Sequence, residues 1–226
     1  MNQGEYNRIE GYMISAMRDS AHDVEHVRRV LRGALAIAAA HPDADPDVLT
    51  AACLLHDVGR QAQFDDPKID HAAEGARMAR AFLLGEGWDE GRADRVADCV
   101  RTHRYRGDDQ PATIEAKILF DADKLDAAGA LGIARTLLYS GAVGRPLAEP
   151  GDLAGDAPSG RSTHSFVAEY RYKLAHVYDR FYTDEGRSLA RSRRRTAEDF
   201  FAGLLDELGG VETAAKSGKG ARETAP

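Results

Sequence analysis

The stretch that decides the fold is PDVLTAACLLHDVGR, residues 46–60, an apolar run that ends in the adjacent ionisable residues His56 and Asp57. Proline suits the first turn of a helix, where its missing N–H would have no partner, so the run predicts a helix over residues 46–56. Cys53 and His56 then lie on the same apolar stripe. An unpartnered charge in such a place is costly to desolvate, so the pair needs a hydrogen-bonding partner or a cation.

Helical periodicity extends along most of the chain, and the alternation typical of strands is almost absent. The predicted helices span residues 5–17, 23–40, 46–56, 70–84, 89–103, 112–139, 163–181 and 184–208. Residues 60–69 are predicted as a polar loop and the Gly- and Pro-rich residues 141–162 as a long loop. The sequence therefore predicts an all-α fold, with one helical domain over residues 1–208 and a disordered tail over residues 209–226.

The composition fits one large globular domain, because 43% of the 226 residues are hydrophobic and 30% are charged. The net charge of -7 argues against general nucleic-acid binding but permits a local site for a small phosphate. Cys53 and Cys99 both lie in apolar helical patterns, which predicts reduced, buried thiols. No signal peptide or membrane span is visible, so we expect a cytoplasmic protein with no membrane partner. The oligomeric state stays open.

Three predicted helices direct a histidine or an aspartate toward the core. His26 leads the apolar stripe of the second helix, His56 ends that of the third, and Asp123 lies on the inner stripe of the helix that contains DADKLD, residues 121–126. A lone inward histidine is more often a hydrogen-bonded core residue than a ligand. The crowded carboxylates of DADKLD, however, repel one another, and a cation relieves that repulsion. Two histidines and two aspartates suit Mn, Fe, Zn, Co or Mg better than a structural thiolate zinc site.

The motifs HDVEHVRRV, HDVGR and DADKLDAAGALGIAR, in this order, resemble the HD-domain superfamily of metal-dependent phosphohydrolases, whose pattern is H…HD…D. Residues 172–208 are similar to the end of one bacterial branch, the YpgQ-like or YedJ-like hydrolases. The first ligand that the resemblance implies is His26 rather than His22. The full set of implied metal ligands is His26, His56, Asp57 and Asp123.

The resemblance implies hydrolysis of a nucleotide or a related small phosphate by metal-activated water, and the branch suggests nucleoside triphosphates split to a monophosphate and pyrophosphate. Asp57, Arg60 and Lys124 are the candidate catalytic residues. The two basic side chains would neutralise phosphate charge or, alternatively, pair with the carboxylates of DADKLD or with Asp65. Arg60 stands where several HD nucleotidases have a glutamate that is implicated in activating water. This leaves metal-activated water, or another carboxylate such as Asp66, for that step.

His71 and His103 are candidates for a second metal site or for binding substrate phosphate. One divalent ion is expected, and a second would clamp both the attacking and the leaving oxygens. Two other functions stay open. An HD-fold di-iron oxygenase would need both histidines as iron ligands, whereas a non-catalytic nucleotide sensor would not need a complete ligand set.

Overall fold

In the computed structural model of this chain, residues 1–17, 24–104, 109–154 and 164–219 are described. These residues form α-helices and a 3₁₀ helix, with no β-strand among them, which confirms the all-α fold. None of the helices in the described ranges has the length and apolar character needed to cross a bilayer. His22, the alternative first ligand, lies outside the described residues.

The described residues contain twelve helical segments. In chain order they are α1 (Gln3–Ala16), α2 (Val24–Ala38), α3 (Pro46–Leu55), α4 (Arg60–Asp65), α5 (His71–Gly85), α6 (Glu90–Thr102), α7 (Ile114–Asp126), α8 (Gly129–Ala142), α9 (Pro150–Ala154), α10 (Phe166–Tyr172), a 3₁₀ helix (Leu174–Asp179) and α11 (Asp184–Lys219).

Backbone proximity divides the chain into two compact units. The first comprises Met1–Asp126 and Arg180–Leu189, and the second comprises Ala127–Asp179 and the remainder of α11. The single domain over residues 1–208 stays a prediction.

Helix α3 is the centre of the first unit. It contacts α1, α2, α6 and α7, and seven of its ten residues are buried, including all five from Ala51 to Leu55. A helix surrounded on all sides has no polar face, which explains why its sequence is apolar all round. Its start is specified locally, because the Asp45 carboxylate accepts hydrogen bonds from the N–H groups of Asp47 and Val48, and Pro46 occupies the first turn.

The polar loop predicted over residues 60–69 contains helix α4, which corrects that prediction. A Cβ atom on Gly59 would lie 2.2 Å from the carbonyl oxygen of His71 and 2.6 Å from the N–H nitrogen of Gly75. Only glycine permits this approach of the chain to α5. The turn carries the backbone straight into α4, which is too short and too polar for periodicity to indicate.

The helix predicted over residues 112–139 is two helices, α7 and α8. Gly129 has a φ of +65°, a left-handed conformation that stops helix propagation, and its N–H donates a 2.9 Å hydrogen bond to the Tyr178 hydroxyl. The residues on both sides of this break are apolar and helix-favouring. The helical periodicity of the sequence therefore continues across Gly129, although the helix itself is interrupted there.

The second unit has its own apolar cluster, formed by Ile133, Phe166, Ala197 and Phe201. The helix predicted over residues 163–181 is instead α10 followed by the 3₁₀ helix, because the backbone leaves helical geometry at Lys173, where φ is -126° and ψ is -56°.

The long loop predicted over residues 141–162 contains α9, and residues 155–163 lie outside the described residues. The Asp152 carboxylate in α9 accepts a 2.6 Å hydrogen bond from the hydroxyl of Ser165. Helix α11 continues to Lys219, beyond the end at residue 208 that the apolar pattern predicts.

Candidate metal centre

Three segments of the first unit bring ionisable side chains to a common point. From His26 Nε2, on α2, the distance to His56 Nε2 is 3.2 Å and the distance to Asp123 Oδ1, on α7, is 3.4 Å. Asp57 Oδ2 lies 3.7 Å from His26 Nε2 and 3.6 Å from His56 Nε2. The four side chains named from the sequence as metal ligands therefore converge, although they are far apart along the chain. Their role as ligands stays a prediction.

Hydrogen bonds at Nδ1 orient the two imidazole rings. His56 Nδ1 donates to the carbonyl oxygen of Cys53 at 2.8 Å, and His26 Nδ1 donates to Asp126 Oδ2 at 2.7 Å. Because the proton is held at Nδ1, each neutral ring presents its Nε2 lone pair to the common point. Two lone pairs that face each other repel, and a proton or a metal ion between them removes the repulsion.

Arg29 and Asp126 support His26, and the sequence assigned neither of them a role. Arg29 Nε donates to Asp126 Oδ1 at 2.8 Å, and Arg29 Nη2 donates to Oδ2 at 3.2 Å. The chain Arg29–Asp126–His26 thus fixes both the position and the tautomer of the imidazole, as outer partners of metal ligands commonly do. A signal was present, because Asp126 follows Asp123 by one helical turn and Arg29 follows His26 by one turn.

The protein groups around this point favour ionised carboxylates. Burial works against the charge of Asp57, but His56 and Arg60 hold its pKa well below the usual range. Burial likewise opposes the charge of Asp123, whose pKa Lys124 and His26 hold well below the usual range. Burial lowers the pKa of His56 to about 4. Burial also disfavours charge on His26, but hydrogen bonds with Asp123 and Asp126 raise its pKa to about 9.

The other oxygen of Asp57 faces a second group of side chains. Asp57 Oδ1 lies 3.5 Å from His103 Nε2 and 4.0 Å from His71 Nε2. His103 Nδ1 donates to the carbonyl oxygen of Val100 at 2.6 Å. Both ring nitrogens of His71, and Nε2 of His103, are buried without a hydrogen-bond partner among the described residues. Burial, and then the charge of Arg60, lowers the pKa of His71 to about 3, so its ring is neutral.

The two basic residues named as catalytic candidates contact predicted ligands. Arg60 Nε donates to Asp57 Oδ1 at 2.8 Å, and Lys124 Nζ donates to Asp123 Oδ2 at 2.7 Å. Lys124 therefore makes the carboxylate pairing that the sequence left as the alternative to phosphate binding, whereas Arg60 pairs with Asp57 rather than with Asp65 or a carboxylate of DADKLD. Asp66, the alternative base, is exposed and accepts a hydrogen bond from the N–H of Lys68.

The donor set fits a divalent metal ion. One ligand atom from each of His26, His56 and Asp123 can be chosen so that all three lie within 4.8 Å of one another, and the same holds for Asp57, His71 and His103. Imidazole nitrogens with carboxylate oxygens suit Mn, Fe, Co, Zn or Mg. Cys53 contributes only its carbonyl oxygen to this arrangement, as the partner of His56.

Comparison with known proteins identifies the family. Residues 23–128 match the family model of the HD domain. YpgQ of Bacillus subtilis (strain 168) is 30% identical over 216 residues, which cover 94% of this chain and 97% of YpgQ. This chain belongs to the HD-domain family. The resemblance stated from the three sequence motifs is therefore confirmed.

Solved structures of HD-family proteins have the same fold. The crystal structure of B. subtilis YpgQ in complex with ADP superimposes with a TM-score of 0.70 and a sequence identity of 28%. The match covers 91% of this chain and 99% of YpgQ. An HD-superfamily hydrolase from Bacillus thuringiensis is 26% identical, also with a TM-score of 0.70, and the match covers 92% and 98% of the two chains. The chain thus shares its fold with a protein named as an HD-superfamily hydrolase.

Proposed function

We propose that this chain is a metal-dependent phosphohydrolase that acts on a nucleotide or a related small phosphate. The observation that carries the proposal is the convergence of two imidazole Nε2 atoms and two ionised carboxylates, from His26, His56, Asp57 and Asp123, on one buried point. Two Nε2 atoms 3.2 Å apart, next to two carboxylates, form a negatively charged donor set that suits a cation.

One divalent ion would be held by these four side chains, with manganese as the first choice among Mn, Mg, Co, Fe and Zn. When bound, such an ion polarises a phosphoryl oxygen and activates water for hydrolysis. The protein's own part is to hold the ligands in place. Arg29 and Asp126 orient His26, and the Cys53 carbonyl orients His56.

The side chains around the ligands would bind the phosphate. Arg60 and Lys124 place positive charge beside the ligand carboxylates, where the oxygens of a bound phosphate would lie. His71 and His103 supply buried ring nitrogens on the same side of Asp57 as Arg60. Basic side chains and imidazoles together suit an anionic substrate, in a chain whose net charge of -7 would otherwise repel one.

The structure of YpgQ in complex with ADP supports a nucleotide as the substrate class. We propose a nucleoside triphosphate cleaved to a monophosphate and pyrophosphate as the first reaction to test. Release of pyrophosphate means attack at the α-phosphorus, whereas release of inorganic phosphate means cleavage of a terminal phosphoryl group. The products therefore identify the bond that is cut.

The test combines metal analysis with a substrate screen. Purified protein is loaded with Mn²⁺, Mg²⁺, Co²⁺ or Fe²⁺ and incubated with nucleotides and sugar phosphates, and the products are identified by mass spectrometry. Asp123→Ala is expected to lose both the bound ion and product formation, while its far-UV circular dichroism stays that of the wild type. Asp98→Ala removes an exposed carboxylate paired with Arg101 and is the matched control. Wild-type turnover and full metal content in Asp123→Ala would refute the site.

A second candidate is a di-iron oxygenase, and the second group of side chains around Asp57 favours it. This function needs two irons per chain and consumes oxygen. Iron-loaded protein that takes up oxygen with an organic substrate would support it. A single Mn²⁺ ion with hydrolysis and no oxygen uptake would exclude it.

A further inference from the structure

The carboxylate of Asp57 is shared between two groups of ligand-type side chains. Its Oδ2 atom faces His26 and His56, and its Oδ1 atom faces His71 and His103. A chain with this arrangement has the side chains for two ions. Oδ1 is the oxygen that a second ion would share with His71 and His103.

The guanidinium group of Arg60 already donates a hydrogen bond to Asp57 Oδ1. Its Nε atom lies 2.8 Å from Asp57 Oδ1, closer than the Nε2 atoms of His103 at 3.5 Å and His71 at 4.0 Å. Asp57 is almost fully buried, with 1% of its side chain exposed. A charge-assisted hydrogen bond to so buried an oxygen is strong, because little water competes for it.

We propose that Arg60 limits this chain to one divalent ion, because its guanidinium group holds the Asp57 oxygen that a second ion would need. The inference rests on the proposed function, in which the first ion is bound by His26, His56, Asp57 and Asp123. It assigns to Arg60 a role in the number of ions bound, in addition to any contact that Arg60 makes with substrate.

Two physical effects act together at Oδ1. With that oxygen taken, the second group offers only the two imidazoles of His71 and His103, and these supply no negative charge to offset a divalent ion. The positively charged guanidinium group also repels such an ion directly.

The backbone holds Arg60 in this place. Arg60 is the first residue of α4, directly after Gly59, whose absent side chain lets the chain approach the carbonyl oxygen of His71. The same close approach thus places the guanidinium group beside the helix that carries His71. Arg60 follows Asp57 by three residues, a spacing at which two side chains on one helical turn meet.

His71 and His103 are then left for another partner. Their three unpartnered ring nitrogens, counted among the described residues, lie in a buried region next to a guanidinium group. A phosphate oxygen fits such a place, because the guanidinium group and the one N–H of the neutral His71 ring can both donate hydrogen bonds to it.

The experiment counts Mn²⁺ ions on metal-free protein. Mn²⁺ is titrated into wild type, Arg60→Gln and Lys124→Gln, and free Mn²⁺ is followed by electron paramagnetic resonance. Lys124→Gln is the matched control, because it also removes one positive charge from beside a ligand carboxylate, that of Asp123, but leaves Asp57 Oδ1 occupied. We expect one tight site in wild type, one in Lys124→Gln and two in Arg60→Gln, with an exchange-coupled signal only in Arg60→Gln.

A double variant locates the additional ion. Adding His71→Gln to Arg60→Gln is expected to return the count from two to one. Two tight ions in the wild type would overturn the inference while leaving the proposed function intact, and this measurement needs no variant to fold. One ion in a folded Arg60→Gln would overturn it as well. No ion in any of the proteins would overturn both the inference and the proposed metal site.

Discussion

Replacing Asp126 with asparagine tests whether metal affinity depends on a residue that does not contact the ion. The carboxylate accepts hydrogen bonds from His26 Nδ1 at 2.7 Å and from two nitrogens of Arg29 at 2.8 and 3.2 Å. Asparagine has a single acceptor oxygen, so its NH₂ group must face either His26 or Arg29, both of which are donors there. One of the two contacts becomes repulsive, and His26 loses the partner that fixes its tautomer.

The expected size follows from the position of Asp126 one step beyond the ligand. Loss of such an outer partner typically weakens metal binding about 10- to 100-fold, which corresponds to about 1.4–2.8 kcal/mol. The ion-free protein should also lose stability. Asp126 is buried and its bonds are charge-assisted, so we expect a loss of about 1.5–3 kcal/mol in the free energy of unfolding.

The assay measures the Mn²⁺ dissociation constant by chelator competition, together with unfolding of the ion-free protein. The matched control is Asp121→Asn, a fully buried carboxylate on the same helix. Asp121 accepts hydrogen bonds from the N–H of Tyr182 and from the N–H and hydroxyl of Thr183, so it holds the start of α11 rather than a ligand. We expect Asp121→Asn to lose stability and keep its Mn²⁺ affinity. Wild-type affinity in Asp126→Asn, or an equal loss of affinity in both variants, would refute the reasoning.

Three further predictions follow from the packing and from the proposed ion. Gly59→Ala should lower the free energy of unfolding by about 1–3 kcal/mol, because its Cβ would lie 2.2 Å from the His71 carbonyl oxygen. Gly11→Ala is the control and should raise the free energy of unfolding by about 0.5–1 kcal/mol, because nothing lies within 4 Å of its Cβ. Equal effects of the two variants in denaturant unfolding would contradict this. Removing the ion with a chelator should lower Tm, and Mn²⁺ at about 100 times its Kd should restore about 2.7 kcal/mol; an unchanged Tm would count against bound metal. Burial raises the pKa of Cys99 to about 12 and the pKa of Cys53 well above its usual value. A thiol reagent should therefore label neither cysteine before the protein unfolds. Rapid labelling of the folded protein would contradict the burial.

The convergence of His26, His56 and Asp123 was predictable because each lies on an apolar helical stripe. Three or four residues separate each one from apolar neighbours that point to the core, so helical geometry alone directs these side chains inward. The structure confirms this orientation, with His26 and His56 buried and Asp123 mostly buried. Because the motifs occur in the order of a known family, the faces of the separate helices could be assigned to one site.

The partners of these residues could not be predicted in the same way. Asp126 and His26 are 100 residues apart in the sequence. An apolar helical stripe predicts which face of a helix is buried, but it does not predict which atoms on two helices form a hydrogen bond. Helix ends caused the other errors. The break at Gly129 depends on a φ of +65° within an otherwise helix-favouring sequence, and the break at Lys173 has no glycine or proline to indicate it. At both breaks, tertiary contacts override the local helix propensity of the sequence.

The choice between hydrolase and oxygenase depends on the second face of Asp57, which the H…HD…D pattern does not describe. That pattern implies one ion, and both proposed functions would include it. The two functions differ in whether a second metal ion lies at Asp57 Oδ1. At that oxygen the chain places the guanidinium group of Arg60, whose Nε lies 2.8 Å away. A fixed organic cation can bind phosphate but cannot cycle between oxidation states, so Arg60 favours hydrolysis over oxygen chemistry. The same reasoning predicts that oxygen uptake, if it occurs at all, should require the loss of Arg60, and iron-loaded Arg60→Gln is therefore the protein in which to look for it.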